Sequence, residues 1–320
     1  MKNDLVINFT PTGMIPTKQL NPNAPISVDE IVEDVHRATE LGISMVHLHA
    51  READTGEPTY LKEIYGDIIG GIRQYAPELI ICVSLSGRNY KALEQRADPL
   101  FLEGNLKPDM GSLTLSSLNF VKTASMNSPT MIQDLARIMK ERGILPELEV
   151  FDIGMINYAH YLEKKGLIQG PHYFNILLGN IFGAQANLLQ TGLMIQELPN
   201  NSYWSLAGLG EDQLKMNAIG IAYGGGIRVG LEDNIWYDTE RTQLATNSSL
   251  LKRVHALAAA NERNVMPASE LRNLLNLNPG NGLYGLKNTD AVIKNWDNSL
   301  SDKRLNTLGE VLSEAQTKVI

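Results

Sequence analysis

The sequence predicts an α/β protein that folds as a closed (β/α)8 barrel, the TIM barrel, with a C-terminal helical extension. Short apolar runs typical of strands alternate with helical patterns, and eight such units follow one another along the chain. The units span about 260 residues, the usual size of this barrel. No Gly-x-Gly-x-x-Gly turn follows the first strand, which disfavours a dinucleotide-binding sheet, although a doubly wound open sheet remains the alternative.

The predicted strands are short apolar runs, and several of them end in polar segments. In a (β/α)8 barrel such ends meet at one face, where catalytic side chains gather. The predicted strands cover residues 5–10, 45–50, 79–85, 109–115, 147–151, 173–178, 203–209 and 226–231.

The predicted helices follow from apolar residues at helical spacing between the strands. At the start of the first helix, Ser27 and Glu30 have the spacing of a capping box, and the helix should stop at Gly42. The predicted helices cover residues 27–40, 60–75, 128–142, 156–165, 184–198, 211–223 and 244–260.

The chain divides into a barrel domain, residues 1–278, and a C-terminal extension, residues 279–320. The composition becomes polar from about Gly280 onward, and residues 289–320 contain two further helix-like stretches. We expect this extension to pack on a neighbouring subunit.

Composition excludes several classes of function. A hydrophobic content of 43% is enough for a large core, and a net charge of −8 disfavours binding to nucleic acid or to anionic membranes. The single cysteine, Cys82, lies in an apolar strand and allows no disulfide within one chain. There is no apolar run of eighteen residues and no pattern of a signal peptide. We therefore expect a cytoplasmic protein with no membrane partner.

The second predicted strand carries the most informative feature, a pair of histidines two residues apart. Because side chains alternate along a strand, His47 and His49 point the same way, while Val46 and Leu48 point the other way. Two imidazoles that converge from one strand form half of a transition-metal site. The segment that follows, residues 51–54 (READ), is polar, as expected at a strand end.

A third metal ligand is expected after the last strand. Glu232 would complete a set of two histidines and one carboxylate, and this set leaves coordination positions open for a substrate. Arg228 lies in the preceding strand, where a buried guanidinium needs a partner, and Asp233 is close enough in sequence to pair with it. A carboxylate held by arginine beside a metal is a candidate general base, and we expect its pKa to be low.

Four segments together resemble the β-keto acid cleavage enzyme family, whose founding activity is 3-keto-5-aminohexanoate cleavage. Residues 108–110 (PDM) and 117–120 (SLNF) add to the match, and the resemblance runs from about residue 4 to residue 278. The four segments are residues 12–18 (TGMIPTK), 46–51 (VHLHAR), 146–155 (PELEVFDIGM) and 228–234 (RVGLEDN).

This resemblance implies a zinc-dependent barrel enzyme, commonly a homo-oligomer and here expected to be a tetramer. Such enzymes convert a small β-keto acid and acetyl-CoA into acetoacetate and a new acyl-CoA. The resemblance assigns His47, His49 and Glu232 as zinc ligands, and Arg228 and Asp233 as the base dyad. It also places five residues around the bound keto acid: Ser84, Ser112, Thr114, Glu147 and Ile15.

Three positions depart from the family pattern. In the aminohexanoate-cleaving members, an acidic residue near the position of Ile15 meets the substrate ammonium. An apolar Ile15 cannot do this, so we expect an apolar or neutral β-keto acid as the substrate. Gly226 replaces a histidine of many members, and this change could alter the support of the metal ligands. Glu211 replaces an arginine, and a carboxylate there would repel a CoA phosphate.

Two other interpretations stay open. A His-x-His strand also occurs in metal-dependent hydrolases and lyases on the same barrel, but those sites need further histidines at later strand ends, which this sequence lacks. The second is a zinc-binding homologue without catalysis, which the changes at Gly226 and Glu211 would favour.

Overall fold

The eight apolar runs of the sequence form the strands of one closed parallel barrel, which excludes the open sheet. The computed structural model describes residues 4–287. Numbered along the chain, the barrel strands are β1 (Ile7–Phe9), β2 (Met45–Leu48), β3 (Ile80–Val83), β4 (Met110–Thr114), β5 (Leu145–Val150), β6 (His172–Leu178), β7 (Ser202–Gly208) and β8 (Gly226–Val229).

Each strand pairs in parallel with the next one along the chain, and β8 closes the barrel against β1. Helices connect the strands, as parallel pairing requires. The helices are α1 (Val28–Leu41), α2 (Lys62–Tyr75), α3 (Leu93–Ala97), α4 (Pro129–Glu141), α5 (Ile153–Lys164), α6 (Leu188–Gln196), α7 (Asp212–Tyr223), α8 (Asn247–Ala260) and α9 (Ala268–Leu274).

The seven helices predicted from periodicity are present, and two short ones were missed. The predicted capping box of α1 is confirmed, since Ser27 accepts from the Glu30 backbone and Glu30 from the Ser27 backbone, and the helix ends at Gly42. Helix α5 begins three residues earlier than predicted because Asp152 caps it and accepts from the Met155 backbone N–H at 3.1 Å. Helices α3 and α9 are too short to show a clear period.

Two short antiparallel ribbons lie beyond the ends of β2 and β4, and neither was predicted. Ala50–Arg51 pairs with Pro58–Thr59, and Leu118–Asn119 pairs with Ala124–Ser125. Segments of two residues carry too little pattern to be recognised from sequence. Both ribbons border the mouth of the barrel.

Alternation along the strands divides the core into two parts. Val46 and Leu48 belong to the large cluster between the strands and the surrounding helices. Met45 and Cys82 belong to a second cluster, together with Leu271 of α9 at the floor of the barrel. His47 lies two residues beyond Met45 and therefore points into the barrel interior. The predicted burial of Cys82 is confirmed.

A buried ion pair joins the floor of the barrel to the segment that follows α9. Asp109, directly before β4, accepts hydrogen bonds from Arg272 Nη1 at 2.7 Å and Nη2 at 2.8 Å. It also accepts from the backbone N–H groups of Ile81 at 3.2 Å and of Gly285 at 3.0 Å. Arg73 Nη2 is a fifth, longer donor at 3.5 Å, and together these donors satisfy a carboxylate that has no exposed surface.

The first residues of the predicted C-terminal extension therefore pack on the barrel floor. Besides the Gly285 contact, the Leu286 backbone N–H donates to the Gly143 carbonyl at 2.8 Å. The helix-like stretches of residues 289–320 and their predicted subunit contact lie outside the described residues. Within residues 4–287, no helix is long and apolar enough to cross a membrane.

Replacing Arg272 should destabilise the fold without touching the mouth of the barrel. Arg272→Met removes the two short hydrogen bonds to the buried Asp109 carboxylate and leaves Arg73, at 3.5 Å, as its charged partner. We expect the free energy of unfolding to fall by about 3–5 kcal/mol. The matched control is Arg137→Met, which removes an exposed ion pair with Asp134 on α4 and should cost less than about 1 kcal/mol. Urea unfolding measures both, and equal losses would contradict the role of the floor pair.

Candidate active site

The two predicted metal-ligating histidines lie at the inner face of the barrel mouth. His47 is in β2 and His49 directly follows it, and both are almost fully buried. Their Nε2 atoms face each other at 3.3 Å. Two ligand atoms of a tetrahedral zinc ion, each about 2.0–2.1 Å from the metal, lie about 3.3 Å apart. The histidine pair therefore has the spacing of two zinc ligands.

Glu232, in the loop after β8, supplies the third candidate ligand. Its Oε1 lies 3.2 Å from His49 Nε2, and the ligand atoms of His47, His49 and Glu232 all lie within 4.8 Å of one another. Glu232 Oε2 is buried and has no hydrogen-bond partner among the described residues. A buried oxygen of this kind is what a metal ion would satisfy.

A carboxylate behind His47 fixes the ring. Glu147 in β5 accepts from His47 Nδ1 at 2.5 Å and from Asn8 Nδ2 at 2.7 Å, and it is completely buried. Burial lowers the pKa of His47, but the charges of Glu147 and Glu232 outweigh it and raise that pKa to about 9. Burial raises the pKa of Glu147, but His47 outweighs it and lowers that pKa to about 2. The negative charges of Glu147 and Glu232 also favour a metal cation at Nε2 of His47.

A second group of possible ligands, His47, Cys82 and Glu147, shares one histidine with the first. Cys82 Sγ lies 3.2 Å from Glu147 Oε2. Burial, together with the Glu147 charge, raises the pKa of Cys82 well above its ordinary value. Because metal ions bind the thiolate and not the thiol, this group is the weaker candidate.

Arg228 of β8 brings three carboxylates together. Its Nη2 donates to Glu232 Oε1 at 2.7 Å, its Nε to Asp233 Oδ2 at 2.9 Å, and its Nη1 lies 3.5 Å from Glu149 Oε1. The guanidinium is 2% exposed. Asn217 of α7 holds the strand by donating to the Arg228 carbonyl at 2.9 Å. The predicted Arg228–Asp233 pair is thus present.

The adjacent acids Glu232 and Asp233 differ in their titration. Burial raises the pKa of Glu232, but Arg228 and the two histidines outweigh it and hold that pKa well below its usual range. Burial raises the pKa of Asp233, and Arg228 offsets this only in part, so that pKa lies above its usual value. The low pKa expected for Asp233 is therefore wrong, because full burial was not foreseen. A raised pKa makes Asp233 the stronger proton acceptor.

A cavity that opens to solvent lies over this cluster. Ile15, Ser84 and Thr114, predicted around the substrate, line it. Its walls also include His49, Glu232, Arg228 and Asp233.

Ser112 and Glu147, also predicted around the substrate, are not among the residues that line the cavity. The Ser112 hydroxyl accepts from the Leu85 backbone N–H at 3.0 Å, and Glu147 lies behind His47.

Several residues that line the cavity were given no role from the sequence, among them Glu149, Arg88 and Phe120. Glu149 lies two residues beyond Glu147 in β5, so the strand period places both side chains in the interior. Glu149 Oε2 accepts from the Thr114 hydroxyl at 2.7 Å. Arg88 and Phe120 belong to loops, where no periodic signal exists.

The structure explains how two departures from the family pattern are accommodated. A Cβ at Gly226 would lie 2.5 Å from Ser205 Oγ, and this hydroxyl hydrogen-bonds Tyr173 at 2.7 Å, so the space is already filled. Glu211 lies 3.8 Å from Arg241, which lines the cavity. The carboxylate at position 211 is therefore paired with a cation at the rim.

Comparisons with known proteins find relatives over almost the whole described chain. Residues 4–277 match the family described as "beta-keto acid cleavage enzyme". A 3-keto-5-aminohexanoate cleavage enzyme of Fusobacterium nucleatum is 36% identical over 278 residues, covering 87% of this chain and 99% of that protein. A 3-oxoadipate:acetyl-CoA acetyltransferase of Cupriavidus necator is 35% identical over 280 residues, covering 87% and 96%.

A solved structure shares the fold at lower identity. ObcA in a ternary complex with a C4-CoA adduct and oxalate has a TM-score of 0.68 and 20% identity, covering 80% of this chain and 68% of that chain.

A methyl group at Gly13 should weaken metal binding. Gly13 has a φ of 80°, and a Cβ there would lie 2.3 Å from Glu232 Cγ, so Gly13→Ala must displace this candidate ligand. We expect the zinc affinity, measured by competition with a chelator, to fall about 10- to 100-fold. Gly104→Ala is the control, since Gly104 also has positive φ but no atom within 4 Å of its Cβ position. Unchanged affinity in Gly13→Ala would remove Glu232 from the metal site.

Proposed function

We propose that this chain, which belongs to the beta-keto acid cleavage enzyme family and is an acyltransferase-type enzyme, uses zinc in its reaction. The substrates would be a small β-keto acid and acetyl-CoA, and the products acetoacetate and a new acyl-CoA. The observation that carries this proposal is the convergence of His47, His49 and Glu232 at zinc-ligand spacing, in a cavity that Asp233 also lines.

The residues at this point fit a zinc ion. His47 and His49 offer their Nε2 atoms, and Glu232 offers a carboxylate held well below its usual pKa. Glu147 would keep His47 oriented, as carboxylates commonly do behind metal-bound histidines. Zinc bound here would supply a Lewis acid that polarises the ketone of the substrate and stabilises enolate charge.

Asp233 is the proposed general base. Its carboxylate would accept the proton from C2 of the keto acid, and its raised pKa favours this transfer. Arg228 would hold the carboxylate through Nε and Nη2, at 2.9 Å and 3.3 Å. The C2 carbon would then attack the acetyl-CoA carbonyl, and CoA transfer with carbon–carbon cleavage would release acetoacetate and the new acyl-CoA.

The remaining predicted residues take two kinds of role in this proposal. Ser84, Thr114 and Ile15 line the cavity and would contact the keto acid. Ser112 and Glu147 would act through the groups they hold, the backbone at Leu85 and the His47 ring. Arg241 and Lys122, which are exposed at the cavity rim, are suited to the phosphates of acetyl-CoA.

We also propose a homo-oligomer, with a tetramer as the expected form. Five large apolar side chains are exposed in the segment that enters α6 and on the helix, which is unusual for a monomer surface. Measurement of the molecular mass in solution tests this. The residues are Ile181, Phe182, Leu188, Leu189 and Leu193.

Incubation of the zinc-loaded protein with a panel of β-keto acids tests the reaction. Acetoacetate should form only when acetyl-CoA is present, together with one new acyl-CoA per acetoacetate. Turnover by water alone would contradict the proposal in favour of a hydrolase. Absence of turnover with every keto acid, despite bound zinc, would contradict it in favour of a binding protein.

Asp233→Asn should abolish turnover and leave zinc bound. The amide cannot accept the C2 proton, so we expect kcat to fall about 10²- to 10⁴-fold, while zinc stoichiometry stays unchanged because Glu232 remains. Glu240→Gln, the same acid-to-amide change at an exposed residue on the same loop, is the control for both assays. Activity near that of the unmodified protein in Asp233→Asn would rule out Asp233 as the base.

A further inference from the structure

Arg88 is a cation without an anionic partner at the wall of the proposed active site. It lies in the loop after β3, and its Cζ lies 3.8 Å from the centroid of the Phe120 ring. Within residues 4–287, no carboxylate lies within ion-pair distance of it, and its buried Nε has no hydrogen-bond partner. Arg88 is partly buried, and the buried arginines of the described chain each donate side-chain N–H groups to oxygen atoms, namely Arg51, Arg73, Arg96, Arg228 and Arg272.

The surroundings of Arg88 lower its pKa through burial. A guanidinium keeps its charge even so, and the charges of Glu232 and Glu149 favour it from beyond ion-pair distance. Its buried Nε has lost water without gaining a hydrogen-bond partner in the described chain. Stacking on Phe120 uses the face of the guanidinium and leaves its edge N–H groups free to donate. Those donors suit a planar carboxylate, which accepts two hydrogen bonds side by side.

Arg88 and the candidate metal ligands His49 and Glu232 line the same cavity. The carboxylates of Glu232, Asp233 and Glu149 each pair with Arg228 and not with Arg88. Side chains without charge, including Ile15, Leu118 and Val121, make up part of the wall. A short methylene chain could lie against these side chains while one carboxylate end reaches the candidate metal site and the other reaches Arg88.

From this arrangement we propose that Arg88 binds a second carboxylate of the substrate, so that the enzyme acts on a β-keto dicarboxylic acid. The inference rests on the proposed function and narrows its substrate, since the sequence alone favoured an apolar or neutral keto acid. The phosphates of acetyl-CoA are the other source of negative charge. They are better served by Arg241 and Lys122, which are exposed at the rim, than by a partly buried arginine stacked on a ring.

Two keto acids that differ in one group test the proposal. 3-Oxoadipate and 3-oxohexanoate have the same length, and a terminal carboxylate in the first replaces a methyl group in the second. We expect kcat/KM to be at least about 10-fold higher for the diacid, and Arg88→Gln to bring the ratio of the two values close to one, mainly through KM. Arg88→Lys should restore part of the ratio, because it returns the charge without the fork of donors.

Arg241→Gln is the matched control, since it removes an exposed arginine of the same cavity. It should raise the KM for acetyl-CoA and leave the diacid preference intact. A wild-type ratio near or below one would overturn the proposal. So would an Arg88→Gln variant that keeps the wild-type ratio, or one whose change is a higher KM for acetyl-CoA at constant ratio.

Calorimetric binding of the two acids to the zinc-loaded protein separates this inference from the proposed function. If neither acid is turned over, the reaction proposed above fails, and tighter binding of the diacid that is lost in Arg88→Gln still supports the anion site. Equal binding of both acids overturns the anion site, whatever the turnover.

Discussion

The guanidinium of Arg228 lies among three carboxylates that would repel one another without it. Glu149, Glu232 and Asp233 are all within 3.5 Å of its nitrogen atoms, in a region almost closed to solvent. Removing a partner from such a cluster leaves buried charge uncompensated. The strand that carries Arg228 thus sets the position of a candidate metal ligand and of a candidate base together.

Residues on the strands and residues on the loops have different roles in the site. Strands β2 and β5 hold His47 and Glu147, which form a buried pair below the mouth. Loops supply the groups that would meet the substrate, including Asp233 and Arg88, and their identity sets specificity. The Asp109–Arg272 pair at the opposite end stabilises the fold without contacting the cavity. Stability and chemistry are therefore separable by mutation.

Much of the fold and part of the candidate site could be predicted from the sequence. Strand period and polar strand ends were enough for the barrel and for the inward direction of His47 and His49, and the motif around Arg228 for its pairing with Asp233. The depth of burial was not predictable. Burial raises the pKa of Asp233, whereas the sequence alone suggested a low pKa. The position of Glu147 behind His47 was also not predictable, because the local sequence does not determine the register between strands that are far apart in the chain. Arg88 stacks on Phe120 through two loops, which carry no period at all.

The fate of the acetyl group is the most direct test of the proposed reaction. Acetyl-CoA carrying ¹³C at its thioester carbonyl, incubated with an unlabelled β-keto acid and the zinc-loaded protein, can be followed by NMR. The proposed reaction places the label at C3 of acetoacetate and none in the new acyl-CoA. Label that stays in acetyl-CoA while unlabelled acetate is released from the keto acid would contradict it.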